Sequence, residues 1–179
     1  MKKWIFLLLL FPLTCVAQTY QYLGVEDGLS NRRVYCIQKD RTGYMWFLTH
    51  EGIDRYNGKS FKRYKLMDGD TEVNSLLNLN WLYINQDGVL WEIGKKGKIF
   101  RYDQVHDRFE LVYKLPIENF RDLPAPVSFA WLDKNNHIWL CNEETIFLYN
   151  TETDQVCPIK NEIKEEITDI EQIDESHYF

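Results

Sequence analysis

Four histidines and a surplus of carboxylates are the residues most able to do chemistry, and their spacing supplies none. His50, His106, His137 and His177 each fall in or beside a turn-like segment, where a solvated side chain is the ordinary reading. His50-Glu51 opens like a zinc-protease signature, but no second histidine follows at the required distance. Asn85-Gln86-Asp87-Gly88 and Asp133-Lys134-Asn135-Asn136 are oxygen-rich like calcium loops. They lack the twelve-residue ligand pattern and its closing bidentate Glu, and ordinary turn chemistry accounts for both. There is no Gly-rich phosphate loop and no Gly-x-Ser-x-Gly elbow. The pairs Glu143-Glu144 and Glu165-Glu166 read as solvated charge, since a glycosidase needs two carboxyls facing one cleft. Tyr44, Tyr83 and Trp131 are rings on which a sugar could stack, against a packing role in the core. The expectation is no catalytic residue, no metal, no cofactor and an unassigned ligand site.

Composition bounds the elements that must position these residues. The 179 residues are 45% hydrophobic, 27% charged and 15% aromatic, a globular profile whose aromatic runs favour strands. Lys2-Lys3 followed by an apolar run from Trp4 to Leu13 reads as a secretory leader. The run is shorter than the ~20 residues a membrane-spanning helix needs. Cys15-Val16-Ala17 puts small residues where a leader peptidase reads, so cleavage after Ala17 is expected. Lipidation at Cys15 and an uncleaved anchor are the alternatives. Loss of Lys2 and Lys3 takes the formal charge from −6 to −8, which argues against a nucleic-acid partner. Cys36, Cys141 and Cys157 then remain. An odd number excludes complete pairing, and the spacing fits no zinc pattern.

An internal repeat organises the rest. Trp46, Trp91 and Trp139 lie 45 and 48 residues apart. Six residues before each stands Asp40, Asn85 or Asp133, and three before stands Gly43, Gly88 or Asn136, residues that tolerate positive φ. Gly52, Gly97 and Thr145 follow, then Tyr56, Tyr102 and Tyr149, then Phe61, Phe109 and Val156. Each unit reads as four short strands; in the first they are Val34 to Lys39, Met45 to Thr49, Ile53 to Tyr56 and Phe61 to Tyr64. Val34 and Cys36 point one way and Ile37 the other, as in a strand buried on both faces. Leu66 to Asn74 and Pro116 to Pro126 read as irregular links.

Four-stranded units of 40 to 50 residues in tandem indicate a β-propeller rather than a sandwich. The expected domains are a leader, 1–17, and a partial propeller, 18–179, with repeats at about 31–64, 76–113 and 126–159 and a partial fourth at 167–179. In that fourth unit Thr168 to Ile173 is expected as a strand. Tyr20 to Val25 is expected as another, a clasp for a ring that this chain cannot close alone.

Gly28-Leu29-Ser30-Asn31, Val34 to Asp40, Gly43-Tyr44-Met45-Trp46-Phe47 and Gly52 to Gly58 resemble the two-component regulator propeller repeat. Leu48-Thr49 and Thr145 depart from its usual glycines. The resemblance implies the N-terminal fragment, or a truncated product, of a periplasmic sensor in a hybrid two-component regulator of Gram-negative gut bacteria. It implies an oligosaccharide ligand, a possible homodimer, and a membrane-anchored parent whose kinase part is absent here. With the acidic balance, no nucleic-acid contact by this segment is expected, and membrane contact only through the missing remainder or an uncleaved leader. A secreted propeller enzyme acting on polysaccharide and a protein-interaction scaffold stand as the other readings.

Overall fold

The computed structural model describes residues 20–73, 81–115, 127–142, 145–160 and 167–171; the expected leader and its cleavage point lie outside them. Among the described residues the chain is all-β apart from one three-residue 3-10 turn, Val25–Asp27. The first sheet is an antiparallel meander of β1 (Val34–Lys39), β2 (Met45–Thr49), β3 (Gly52–Tyr56) and β4 (Phe61–Tyr64). Next come β5 (Leu66–Asp68), β6 (Thr71–Val73), β7 (Trp81–Ile84), β8 (Leu90–Ile93), β9 (Lys98–Asp103) and β10 (Arg108–Lys114), in sheet order β6-β5-β10-β9-β8-β7. The third sheet is the meander β11 (Phe129–Leu132), β12 (His137–Cys141), β13 (Thr145–Asn150) and β14 (Gln155–Lys160).

The Asp-to-Trp spacing has a direct physical cause. Asp40 Oδ1 accepts the backbone N–H groups of Thr42 and Tyr44 at 2.9 and 3.0 Å, while Oδ2 accepts Trp46 Nε1–H at 2.8 Å. Asp133 repeats this with Asn135, His137 and Trp139 at 2.8, 2.8 and 2.9 Å. One carboxylate thus caps the β1–β2 or β11–β12 turn and anchors the indole. The third turn position has positive φ in all three units: 94° at Gly43, 84° at Gly88 and 61° at Asn136. In the second unit Asn85 Oδ1 caps the backbone of Asp87 and Val89. Its other side-chain atom is an amide nitrogen, which cannot accept. Nε1 of Trp91 accordingly has no acceptor among the described residues.

That defect is correctable. Asn85→Asp supplies the missing acceptor, worth about 1 kcal/mol, while it breaks the Asn85 Nδ2–Asp87 Oδ2 bond and sets two carboxylates side by side, so no net gain in stability is expected. Trp91→Phe should then cost about 1 kcal/mol more in the Asn85→Asp background than in the parent. Equal costs in the two backgrounds, read from urea unfolding, would show that the new carboxylate does not reach the indole.

The tryptophans and tyrosines define the two faces of each sheet. Trp46, Trp91 and Trp139 sit opposite Arg55, Arg101 and Leu148. Tyr56 and Tyr149 sit opposite the residues just before Trp46 and Trp139. Trp46, Leu48 and Ile53 pack with Leu82, Leu90, Phe100 and Phe109 between the first two sheets. Trp91, Ile93 and Ile99 pack with Ala130, Ile138, Leu140 and Tyr149 between the second and third. Side chains alternate across a strand, so Leu90 and Trp91 supply different cores from adjacent positions. That is why these strands are apolar on both faces.

The first strands of successive units are also tied to one another. Gln38 Nε2 donates to the Leu82 carbonyl at 3.1 Å, and Tyr83 Oη to the Ala130 carbonyl at 2.7 Å. Gln38 and Tyr83 both stand eight residues before the unit's tryptophan, and their acceptors both stand nine before the next. The turns interlock as well: Gln86 N–H donates to Asn136 Oδ1, and Asn136 Nδ2 to Asp87 Oδ2.

The structure corrects four expectations. Leu66 to Asn74 is not an irregular link through Val73: β5 and β6 form a hairpin, and β5 joins β10 in parallel. Leu66 lies opposite Phe109 in that pairing, and both are buried, so burial of Leu66 holds the hairpin there. The register of β1 shifts between Val34 and Cys36. This bulge sends Val34 to the Leu29–Phe47–Tyr56 cluster and Cys36 to the core between the sheets, so they do not share a face. Tyr20 to Val25 is no strand. Residues 20–24 lack a pairing partner among the described residues, and Asp27 Oδ2 accepts the Gly24 N–H to start the 3-10 turn. Residues 167–171 are likewise not in a strand, again without a pairing partner among the described residues; the rest of the expected fourth unit lies outside the description.

Candidate functional site

The sheets position one polar cleft between the first and second units. It holds about 570 Å³ and is lined by the β1–β2 turn, the β7–β8 turn and the β9–β10 turn. Arg55 lines it, on β3 opposite Trp46. The Arg55 guanidinium lies 4.6 Å from the Tyr44 ring centroid and 5.2 and 5.4 Å from those of Tyr64 and Trp46. Its Nη1 donates to Tyr102 Oη at 3.3 Å and stands 3.6 Å from Asp107 Oδ1.

Asp107 is the convergence point of two units. Tyr64 Oη and Tyr102 Oη donate to its Oδ1 at 2.7 and 2.6 Å, and Lys62 Nζ donates to Oδ2. Partial burial pushes its pKa up, but the bonds from Lys62, Tyr102 and Tyr64 outweigh this and hold the carboxyl well below the usual range. The same geometry raises both phenols, through burial first and then through the anionic acceptor. The residue adopts φ 51° to make these contacts. Asp154, five residues after Tyr149, repeats the pattern with φ 57° and accepts that tyrosine's hydroxyl.

The remaining sequence candidates are dispersed. Tyr44 lines the cleft. Tyr83 is committed to the Ala130 carbonyl, and burial pushes its phenol up to about 12. Trp131 lies opposite Trp139 on β11. His137 Nδ1 meets the Asp133 carboxylate at 3.2 Å, and His50 Nδ1 meets Tyr35 Oη at 2.9 Å; His177 is outside the described residues. Asp103, His106 and Glu110 bring ligand-type atoms within 4.8 Å of one another. His106 is engaged by Asp103 and Glu110 by Arg108, so each of the three already has a protein partner. Cys36, Cys141 and Cys157 are all free thiols. Burial pushes the Cys141 thiol up to about 12, an unreactive state. Ser30 Oγ donates to buried Asp54 at 2.5 Å, and the Ser30 N–H to the same oxygen at 2.9 Å. Among the described residues no histidine hydrogen-bonds to this pair, so it ties the segment before β1 to β3 rather than activating a nucleophile.

Sequence reasoning did not find Arg55 or Asp107. The available signal was an aspartate five residues after the repeated tyrosine in the second and third units, a position that Phe61 occupies in the first.

Comparison with known proteins supplies the fold and a family match over a short segment. Residues 28–51, which include β1 and β2, match the model of the two component regulator propeller family. No curated protein matches the sequence. The extracellular domain of BT3049 from B. thetaiotaomicron, assigned as a hybrid two component system, superposes with TM-score 0.58 at 24% identity, covering 78% of this chain and 20% of that one. The extracellular domain of BT4673 from the same organism, assigned as a one component system, gives 0.52 at 22% identity, with 72% and 18% covered. A catalytically inactive virginiamycin B lyase from Staphylococcus aureus, solved with quinupristin, gives 0.54 at 15% identity, with 75% and 43% covered. These likenesses establish a propeller-like fold. The chain spans about a fifth of the first two structures. Among the described residues no helix is long and apolar enough to cross a membrane.

Proposed function

We propose, taking the two component regulator propeller repeat at residues 28–51 as the premise, that this chain is part of an exported ligand-sensing module and that its ligand is an oligosaccharide. The observation that carries the reading is the cleft itself. Tyr44 offers a ring, Arg55 and Gln104 offer donors, and Asp87 and Asp107 offer acceptors, within about 570 Å³. Sugars are bound by such combinations of an aromatic face with convergent polar groups, and pockets of ~300–1,000 Å³ suit small ligands. The structural likeness to extracellular domains of two component proteins supports a location outside the cytoplasm. A kinase output would belong to other parts of a longer protein.

The test is a neutral-oligosaccharide library followed by calorimetry on the full chain. Tyr44→Ala is expected to weaken the bound sugar about tenfold, within the ~1–3 kcal/mol range of an interfacial aromatic truncation. Binding is measured well below a melting temperature that the variant also lowers, because the ring packs under Arg55 and against the core between the sheets. Binding that is indifferent to Tyr44, or no binding across the library, would sink the cleft assignment. Chromatographic detection of shortened product would favour the enzyme reading instead.

A further inference from the structure

We propose that a second pocket, at the start of β1, binds an anionic group of carboxylate or sulfate size through Arg32, Arg33 and His50. The pocket is a shallow, open surface depression lined by these three residues and Asn31. It lies at the opposite end of β1 from the polar cleft, roughly 20 Å away at the ~3.3 Å rise of a strand residue. The chain carries a formal charge of −6, yet this corner presents two adjacent exposed arginines. Neither has an ion-pair partner among the described residues. The carboxylate bordering the segment, Glu51, already receives the Asn31 amide at 3.2 Å and lies 3.7 Å from Arg63 Nη1.

The backbone under these cations is held from several directions. Ser30 donates twice to buried Asp54. The Arg33 N–H donates to Asn31 Oδ1 at 2.8 Å, and the His50 N–H donates to the Arg33 carbonyl at 3.0 Å. Tyr35 Oη occupies His50 Nδ1, which leaves Nε2 as the remaining polar atom of the ring. A fixed scaffold lowers the entropic cost of binding. Guanidinium forks match the paired oxygens of carboxylate and sulfate. Because both guanidinia are exposed, the interaction is modest and falls with added salt.

The experiment is an NMR titration of the full chain at low salt with sodium sulfate, tri-galacturonate and neutral tri-galactose. Sulfate and tri-galacturonate are expected to shift the side-chain resonances of Arg32, Arg33 and His50, and tri-galactose is not. Tighter binding of tri-galacturonate than of sulfate assigns the anion to a sugar acid, and equal binding assigns it to a free anion. Arg32→Gln/Arg33→Gln should weaken both anions about tenfold, the scale of a lost charge-assisted contact, with an unchanged melting temperature. Tyr44→Ala should leave them untouched, so this site and the cleft succeed or fail separately. Absence of anion-induced shifts, or a double variant that binds like the parent, would overturn the proposal. Equal shifts with tri-galactose would do the same.

Discussion

Trp46→Ala is expected to cost about 3–5 kcal/mol, the range for truncating a buried aromatic. The side chain is 1% exposed, with the rings of Tyr102, Tyr64 and Phe109 at 4.9, 5.0 and 5.9 Å. It belongs to both the first sheet and the core shared with the second, so its loss opens a cavity where neither sheet closes alone. The phenylalanine variants separate packing from hydrogen bonding. Trp46→Phe removes the donor to Asp40 Oδ2, whereas Trp91→Phe removes an indole N–H that has no acceptor among the described residues. Trp46→Phe should therefore be the more destabilising of the two by about 1 kcal/mol. Equilibrium urea unfolding reads both differences; a reversed order would mean that the Asp40 bond contributes nothing net.

Asp107→Ala is expected to cost about 2 kcal/mol by orphaning the hydroxyls of Tyr64 and Tyr102 together. The ion pairs with Lys62 and Arg55 add little, because the carboxylate is 37% exposed and surface pairs are screened. The effect carries a pH signature. The folded carboxyl is depressed below its unfolded value, so its contribution is complete above the ordinary carboxylate range. It fades as pH falls toward the depressed value. The stability gap between the parent and Asp107→Asn should thus narrow as pH drops from about 5 toward 2. Asp54 works in the opposite sense: burial raises it despite the Ser30 bonds. Its contribution is present at low pH and is lost as pH rises through its raised value. A gap for Asp107→Asn that stays constant over the acid range would show that the carboxylate charge is not what joins the units.

The strand units are legible in the amino-acid sequence because their signals are local. A carboxylate two and four residues from the N–H groups that it caps, and six from an indole, folds the same turn wherever the pattern occurs. That is why Asp40 with Trp46 and Asp133 with Trp139 could be read directly, and why Asn136 was legible at the positive-φ place that Gly43 and Gly88 occupy. The tertiary structure decided what lies between units. Arg55, Tyr64 and Lys62 meet Asp107 across 43 to 52 residues of chain, and no local pattern encodes that convergence. The Leu66–Asp68 strand was hidden for the same reason: its partner, Phe109, is distant in sequence, and burial against that ring turns a nominal linker into part of the second sheet. The bulge at β1 and the unpaired state of residues 20–24 are also decided by partners. A strand's register and its very existence depend on the neighbour that satisfies its backbone hydrogen bonds, and only the fold supplies that neighbour.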